Sequence, residues 1–149
     1  MTMKRILVLL TGLLMTVTVF AGTPKVEHFS SNPEMQLPFS EAVRVGHMLY
    51  LSGKIGNIPG TRNLAEGGIQ GETRQALENI KATLEKYGSS LGEVVKCTVF
   101  LADIKEWGAM NEVYISYFPV NPPARSALGS SGLALDSRVE IECLATVSD

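Results

Sequence analysis

Between Ala42 and Ile55 the apolar residues Val43, Val45, Leu49 and Leu51 recur at odd positions. That is the period of a strand with one buried face. Gly46-His47 interrupts the run, and a glycine that opens a two-residue loop suits a type II′ hairpin. Pro59-Gly60, Gly67-Gly68 and Gly71 then mark a loop. From Glu72 the period lengthens. Ala76, Leu77, Ile80, Leu84 and Tyr87 make one stripe, which predicts a helix over 72–87 with Gly88 at its C′ position. Glu72, Arg74, Glu78, Lys81 and Glu85 fall on the other face, expected to be solvated. Val94 to Leu101, VVKCTVFL, is β-branched and aromatic and reads as a strand. Asp103, with Glu106 three residues on, has the spacing of a capping box. The helix it opens has Trp107, Met110, Tyr114 and Tyr117/Phe118 on its apolar face, read as core, and Pro119, Pro122 and Pro123 end it. Pro122 to Thr146 then reads as two strands around a loop. Upstream, Thr23 to Phe39 carries Pro24, Pro33 and Pro38 and reads as an extended arm.

Strand, strand, helix, strand, helix, strand, strand is most simply an α+β domain: one mixed sheet with two helices packed on one face. The other face is half apolar, because Val95, Cys97 and Val99 alternate with Lys96, Thr98 and Phe100. A free sheet face of that kind suggests burial in an oligomer.

The first residues change the picture of where the chain works. Lys4 and Arg5 precede an uncharged apolar run from Ile6 to Phe20, and Val19-Phe20-Ala21 closes it. This is the three-part pattern of a secretory signal peptide over residues 1–21. The run falls short of the ~20 residues of a spanning helix, and an uncleaved anchor is the alternative. The reading gives a periplasmic or secreted protein of one domain, residues 22–149. Losing Lys4 and Arg5 takes the formal net charge from −2 to −4. Such a chain has no basic field for nucleic acid and no membrane segment after cleavage.

Cys97 and Cys143 both fall inside predicted strands, far apart in sequence and without a CxxC. Buried free thiols acting as small hydrophobes are expected in preference to a disulfide. His28 and His47 are the only histidines, too few for a His-based zinc site, so no metal is expected. Arg125 and Glu140 stand out, each in apolar strand surroundings where an unpaired charge is expensive. A structural ion pair would account for them. So would a small anion held by the Arg beside a water held by the Glu.

Taken in order, several stretches resemble the RidA/YjgF family of reactive-intermediate deaminases. They are Gly67-Gly68-Ile69, Thr73 to Ile80 (TRQALENI), Val99 to Asp103 (VFLAD), Met110 to Tyr114 (MNEVY), Pro123-Ala124-Arg125-Ser126 and Val139 to Glu142. The resemblance implies a chorismate-mutase-like fold. It also implies a homotrimer whose sheets form a central barrel, with clefts between subunits. The implied activity is hydrolysis of enamines and imines of the 2-aminoacrylate type to 2-keto acids and ammonia, that of a 2-iminobutanoate/2-iminopropanoate deaminase, without cofactor. On this resemblance Arg125 binds the substrate carboxylate and Glu140 handles the water. Ser52, beside Gly53, and Asn111 line the pocket. Two positions depart from the family pattern: Phe39 stands where Tyr is frequent, and Ala127 where Cys is frequent. A member of the same fold that binds or signals with small carboxylates, without turnover, is the alternative.

Overall fold

The computed structural model describes residues 22–31, 34 and 37–148. The signal-peptide reading over residues 1–21 lies outside them. In chain order the elements are β1 (Val26–Phe29), β2 (Ala42–Val45), β3 (Met48–Leu51), β4 (Lys54–Ile55), α1 (Gly68–Lys86), β5 (Val94–Leu101), α2 (Trp107–Tyr117), β6 (Ala124–Gly129) and β7 (Val139–Thr146). The strands form one mixed sheet in the order β1-β2-β3-β7-β5-β6, with β4 also paired to β7. Only β5 and β6 are parallel, and α2 makes the crossover between them, as a parallel pair requires.

The hairpin of β2 and β3 turns at Gly46-His47 as expected, with φ 57° at Gly46. Part of the predicted arm is β1, an edge strand antiparallel to β2. Its four residues between two prolines carry too little alternation to show in the sequence. Phe29 at its end stacks on Tyr87 at 4.4 Å between ring centroids. Just before β2, Glu41 accepts hydrogen bonds from Lys54 Nζ (3.0 Å), Lys86 Nζ (2.8 Å) and the Tyr87 hydroxyl (2.7 Å). Burial pushes its pKa up, but the three donors outweigh it and hold the carboxyl at about 2.

The core lies between the sheet and the helices. The stripe Ala76, Leu77, Ile80 and Leu84 of α1 is fully buried, as are Met110 of α2, Cys97, Val99 and Leu101 of β5, and Val139, Ile141, Cys143 and Ala145 of β7. α1 begins four residues before the predicted start. The charged face also differs from expectation at one position. Glu72 is buried rather than solvated, and its Oε2 accepts the backbone N–H of Arg138 at 2.8 Å. That oxygen gives a partly buried backbone donor the partner it would otherwise lack.

Asp103 caps, but it caps a short 3₁₀ turn (Ile104–Glu106) that leads into α2, accepting from Lys105 N–H at 2.9 Å. Glu106 does not close the box; it pairs with Arg138 Nη1 at 2.6 Å. Trp107, expected in the core, is 42% exposed at the first residue of α2.

The cysteines correct the free-thiol expectation: Cys97 and Cys143 form a disulfide. Their strands are antiparallel neighbours, and the two residues stand directly opposite in the register. Their Cα atoms are 4.1 Å apart, close to the spacing of non-hydrogen-bonded pairs in such a ladder. A separation of 46 residues conceals a pairing that depends on strand register. Both residues face the core with no exposure, so the bond staples the two central strands from inside.

Candidate active site

Arg125 lies on the edge strand β6, level with Cys97 on β5, which is level with Cys143 on β7. Neighbours in register share a sheet face, so Arg125 points with the disulfide toward the helix side. There it meets one face of α2. Its Nη1 donates to Asn111 Oδ1 at 2.8 Å. Its guanidinium carbon stands 4.6 Å from the centroid of the Tyr114 ring and 5.6 Å from that of Trp107, within the ~6 Å range of cation–π attraction. Trp107, Asn111 and Tyr114 are spaced i, i+4, i+7, so one helical stripe holds the Arg from three sides. Burial pushes the Tyr114 phenol up to about 12, against the opposing pull of Arg125, and the ring stays a neutral platform. Its hydroxyl is buried without a hydrogen-bond partner among the described residues. None of the described carboxylates pairs with Arg125. The guanidinium therefore keeps donors for a ligand, on a mount that fixes its plane.

Glu140 stands on β7 in the row Leu128–Phe100–Glu140–Ile55, which projects from the open face. It is half-buried. Its pKa is raised, first by burial and then by the negative charge of Glu142 two residues along the same face. Gly53 is what admits it: a Cβ at that position would collide with the Glu140 carboxylate. The Ser52 hydroxyl donates to the Ser40 carbonyl at 2.6 Å and so ties the turn after β3 to the segment leading into β2. Phe39, one residue before Ser40, is 58% exposed. Ala127 is partly buried and packs against the core, level with Val99.

These placements divide the sequence-predicted residues in two. Arg125 and Asn111 meet beneath α2. Glu140 and Gly53 meet on the open face, with Ser52 beside Gly53. Glu140 is three residues along (~10 Å) and two strands across (~10 Å) from the level of Arg125, and it points from the opposite face. An ion pair between them within one chain is therefore excluded. Trp107 and Tyr114 were missed as partners of Arg125. Their stripe was visible in the sequence, but an apolar stripe with a buried end carries the same pattern as core.

The family model described as Endoribonuclease L-PSP, the RidA/YjgF family, matches residues 29–147. The chain belongs to this family. It is 44% identical over 108 residues to the human 2-iminobutanoate/2-iminopropanoate deaminase, covering 72% of this chain and 79% of that one. It is 45% identical over 108 residues to the RutC family protein PH0854 of Pyrococcus horikoshii, covering 72% of this chain and 86% of that one. Among solved structures, that of YEO7_yeast superposes with a TM-score of 0.77 at 36% identity, covering 83% of this chain and all of the other. The family's α+β fold, one mixed sheet with two helices on one face, is thus the fold of this chain.

The raised pKa of Glu140 is open to a direct check. Its carboxyl carbon, followed by NMR across pH, is expected to titrate above the ordinary 4.5. Glu142→Gln removes the repelling charge and is expected to move that midpoint down. A wild-type midpoint at or below 4.5 would contradict the burial described here.

Proposed function

We propose that the protein is a hydrolytic deaminase of reactive 2-imino and 2-enamino acids, releasing 2-keto acids and ammonia. The observation that carries this reading is the mounted Arg125, with an oriented guanidinium and no carboxylate of its own. A guanidinium can take a substrate carboxylate through two parallel hydrogen bonds, each charge-assisted bond contributing ~1.5–3 kcal/mol. The relatives named as imine deaminases at 43–44% identity support the reaction class.

Glu140 supplies the other requirement. A carboxylate with a raised pKa is the better base toward water, and it can give the proton back. Water adds to C2 of the bound imine while Glu140 takes its proton. Glu140 returns that proton to the nitrogen, giving a carbinolamine; the hydroxyl proton of the carbinolamine then passes by way of Glu140 to the amine as the C–N bond breaks, and ammonia leaves the 2-keto acid. Imine and water thereby balance keto acid and ammonia. General acid–base help of this kind typically contributes ~10²–10⁴-fold.

Since Arg125 and Glu140 leave one chain from opposite faces, the site is completed by a second copy. We infer that in the homotrimer the family resemblance implies, the open face of one sheet and the β6 edge of its neighbour bring Glu140 and Arg125 together. The half-exposed Tyr50 and Leu128 on that face support its burial between copies.

Export is part of the same proposal. The buried Cys97–Cys143 disulfide suits an oxidising compartment, as does the signal-like start of the chain. Protein recovered from the periplasm or medium is expected to have the intact mass of Gly22–Asp149 less two hydrogens. A mass that includes Met1–Ala21 would contradict export by cleavage, and the two extra hydrogens would contradict the disulfide.

Activity separates the two charged residues. Arg125→Ala is expected to abolish both carboxylate binding and acceleration of imine hydrolysis, with an unchanged solution mass. Glu140→Gln is expected to keep binding and to lose turnover by ~10²-fold or more. Imines generated in situ by an amino-acid oxidase provide the assay. Undiminished turnover in Glu140→Gln would remove it from the mechanism, and a fall to monomer mass in Arg125→Ala would make Arg125 structural.

A further inference from the structure

A cavity of about 430 Å³ opens beside Arg125. Arg125 and Asn111 form its polar end. The rest of its wall is mostly apolar: the Tyr114 ring and Ile115 come from α2, Phe118 from the residue after it, and Pro119, Pro122 and Pro123 from the connection to β6. The three prolines lack N–H groups, so this stretch offers a ligand little to hydrogen-bond. Phe118 is buried in the core and holds its side of the wall, whereas Ile115 is 58% exposed. An isoleucine so placed gains contact when an apolar ligand lies against it.

The shape of the reaction sets the direction of the substrate. Arg125 fixes C1 through the carboxylate. C2 is then one bond from the tethered carboxylate, and its side chain has the apolar wall within reach. A methyl or ethyl group would occupy a small part of a volume that falls in the range of whole-ligand pockets, ~300–1,000 Å³. The geometry points to a preference for 2-imino acids with branched or aromatic apolar side chains, over the three- and four-carbon imines for which the deaminase relatives are named. This inference rests on the deaminase reading of the Arg125 site and names its substrate class.

The side chain of leucine exceeds that of alanine by three carbons, and each buried methylene is worth about fourfold in affinity. A preference of at least tenfold is therefore expected. Trp107 is the only tryptophan of the chain and stands against Arg125, so its fluorescence reports on the site. Titration of the wild-type protein with pyruvate and with the keto acid of leucine is expected to show the latter binding at least tenfold tighter. The imines of leucine and alanine, generated in situ, are expected to give kcat/KM values in the same order. Ile115→Ser is expected to narrow the ratio several-fold. Equal affinities, or tighter binding of pyruvate, would overturn the inference. Should neither imine be turned over, the deaminase reading falls, while the two keto-acid affinities still decide what the cavity prefers.

Discussion

Side chains along a strand alternate between the two faces of a sheet, and from that constraint the two charged residues of the last strands take their places. In β7 the residues of odd number, Val139 to Ala145, fill the core. Glu140 and Glu142 must then stand on the open face. In β6 the register with Cys97 turns Arg125 toward α2 instead. A slip of one residue in either strand would exchange these faces and expose the core residues. Burial of Cys97, Val99, Ile141 and Cys143 therefore fixes the direction of the functional groups as firmly as it fixes the fold. The disulfide across β5 and β7 joins the two strands on which this register depends.

Each charge meets a support suited to its sign. The Arg is held by a carbonyl oxygen and two aromatic faces, which attract a cation without neutralising it. A carboxylate neighbour in the same chain would have competed with a ligand. The Glu is held in partial burial, beside another negative charge and over a glycine. These surroundings disfavour its ionised form and raise its affinity for a proton. One support thus favours binding of an anion and the other favours taking a proton from water. In the reaction proposed above, the two come together only when two copies of the chain meet.

Much of the fold was legible in the sequence because it rests on local periodicity. β5 matched to the residue, α1 was found with the buried Ala76, Leu77, Ile80 and Leu84 of its stripe but without its first turn and the buried Ile69, and the hairpin turned where Gly46 allowed it. The failures have a common cause. β1, the disulfide, the burial of Glu72 and the partnership of Trp107 with Arg125 all depend on which segments lie side by side, and periodicity is silent on that. Arg125 and Glu140 were conspicuous as charges in apolar strands. Their projection from opposite faces required the register of three strands, which no single stretch of sequence contains.

The central claim is that Arg125 of one chain works with Glu140 of another, and mixing inactive variants tests it most directly. Arg125→Ala and Glu140→Gln subunits, unfolded together in equal amounts and reassembled, produce interfaces in which an intact Arg faces an intact Glu. With random assembly around a cyclic oligomer this occurs at about a quarter of the interfaces. The mixture is expected to recover about a quarter of wild-type imine hydrolysis, although neither variant alone has activity. Reassembled mixtures that stay inactive, while wild-type protein taken through the same procedure regains its activity, would contradict a site shared between chains.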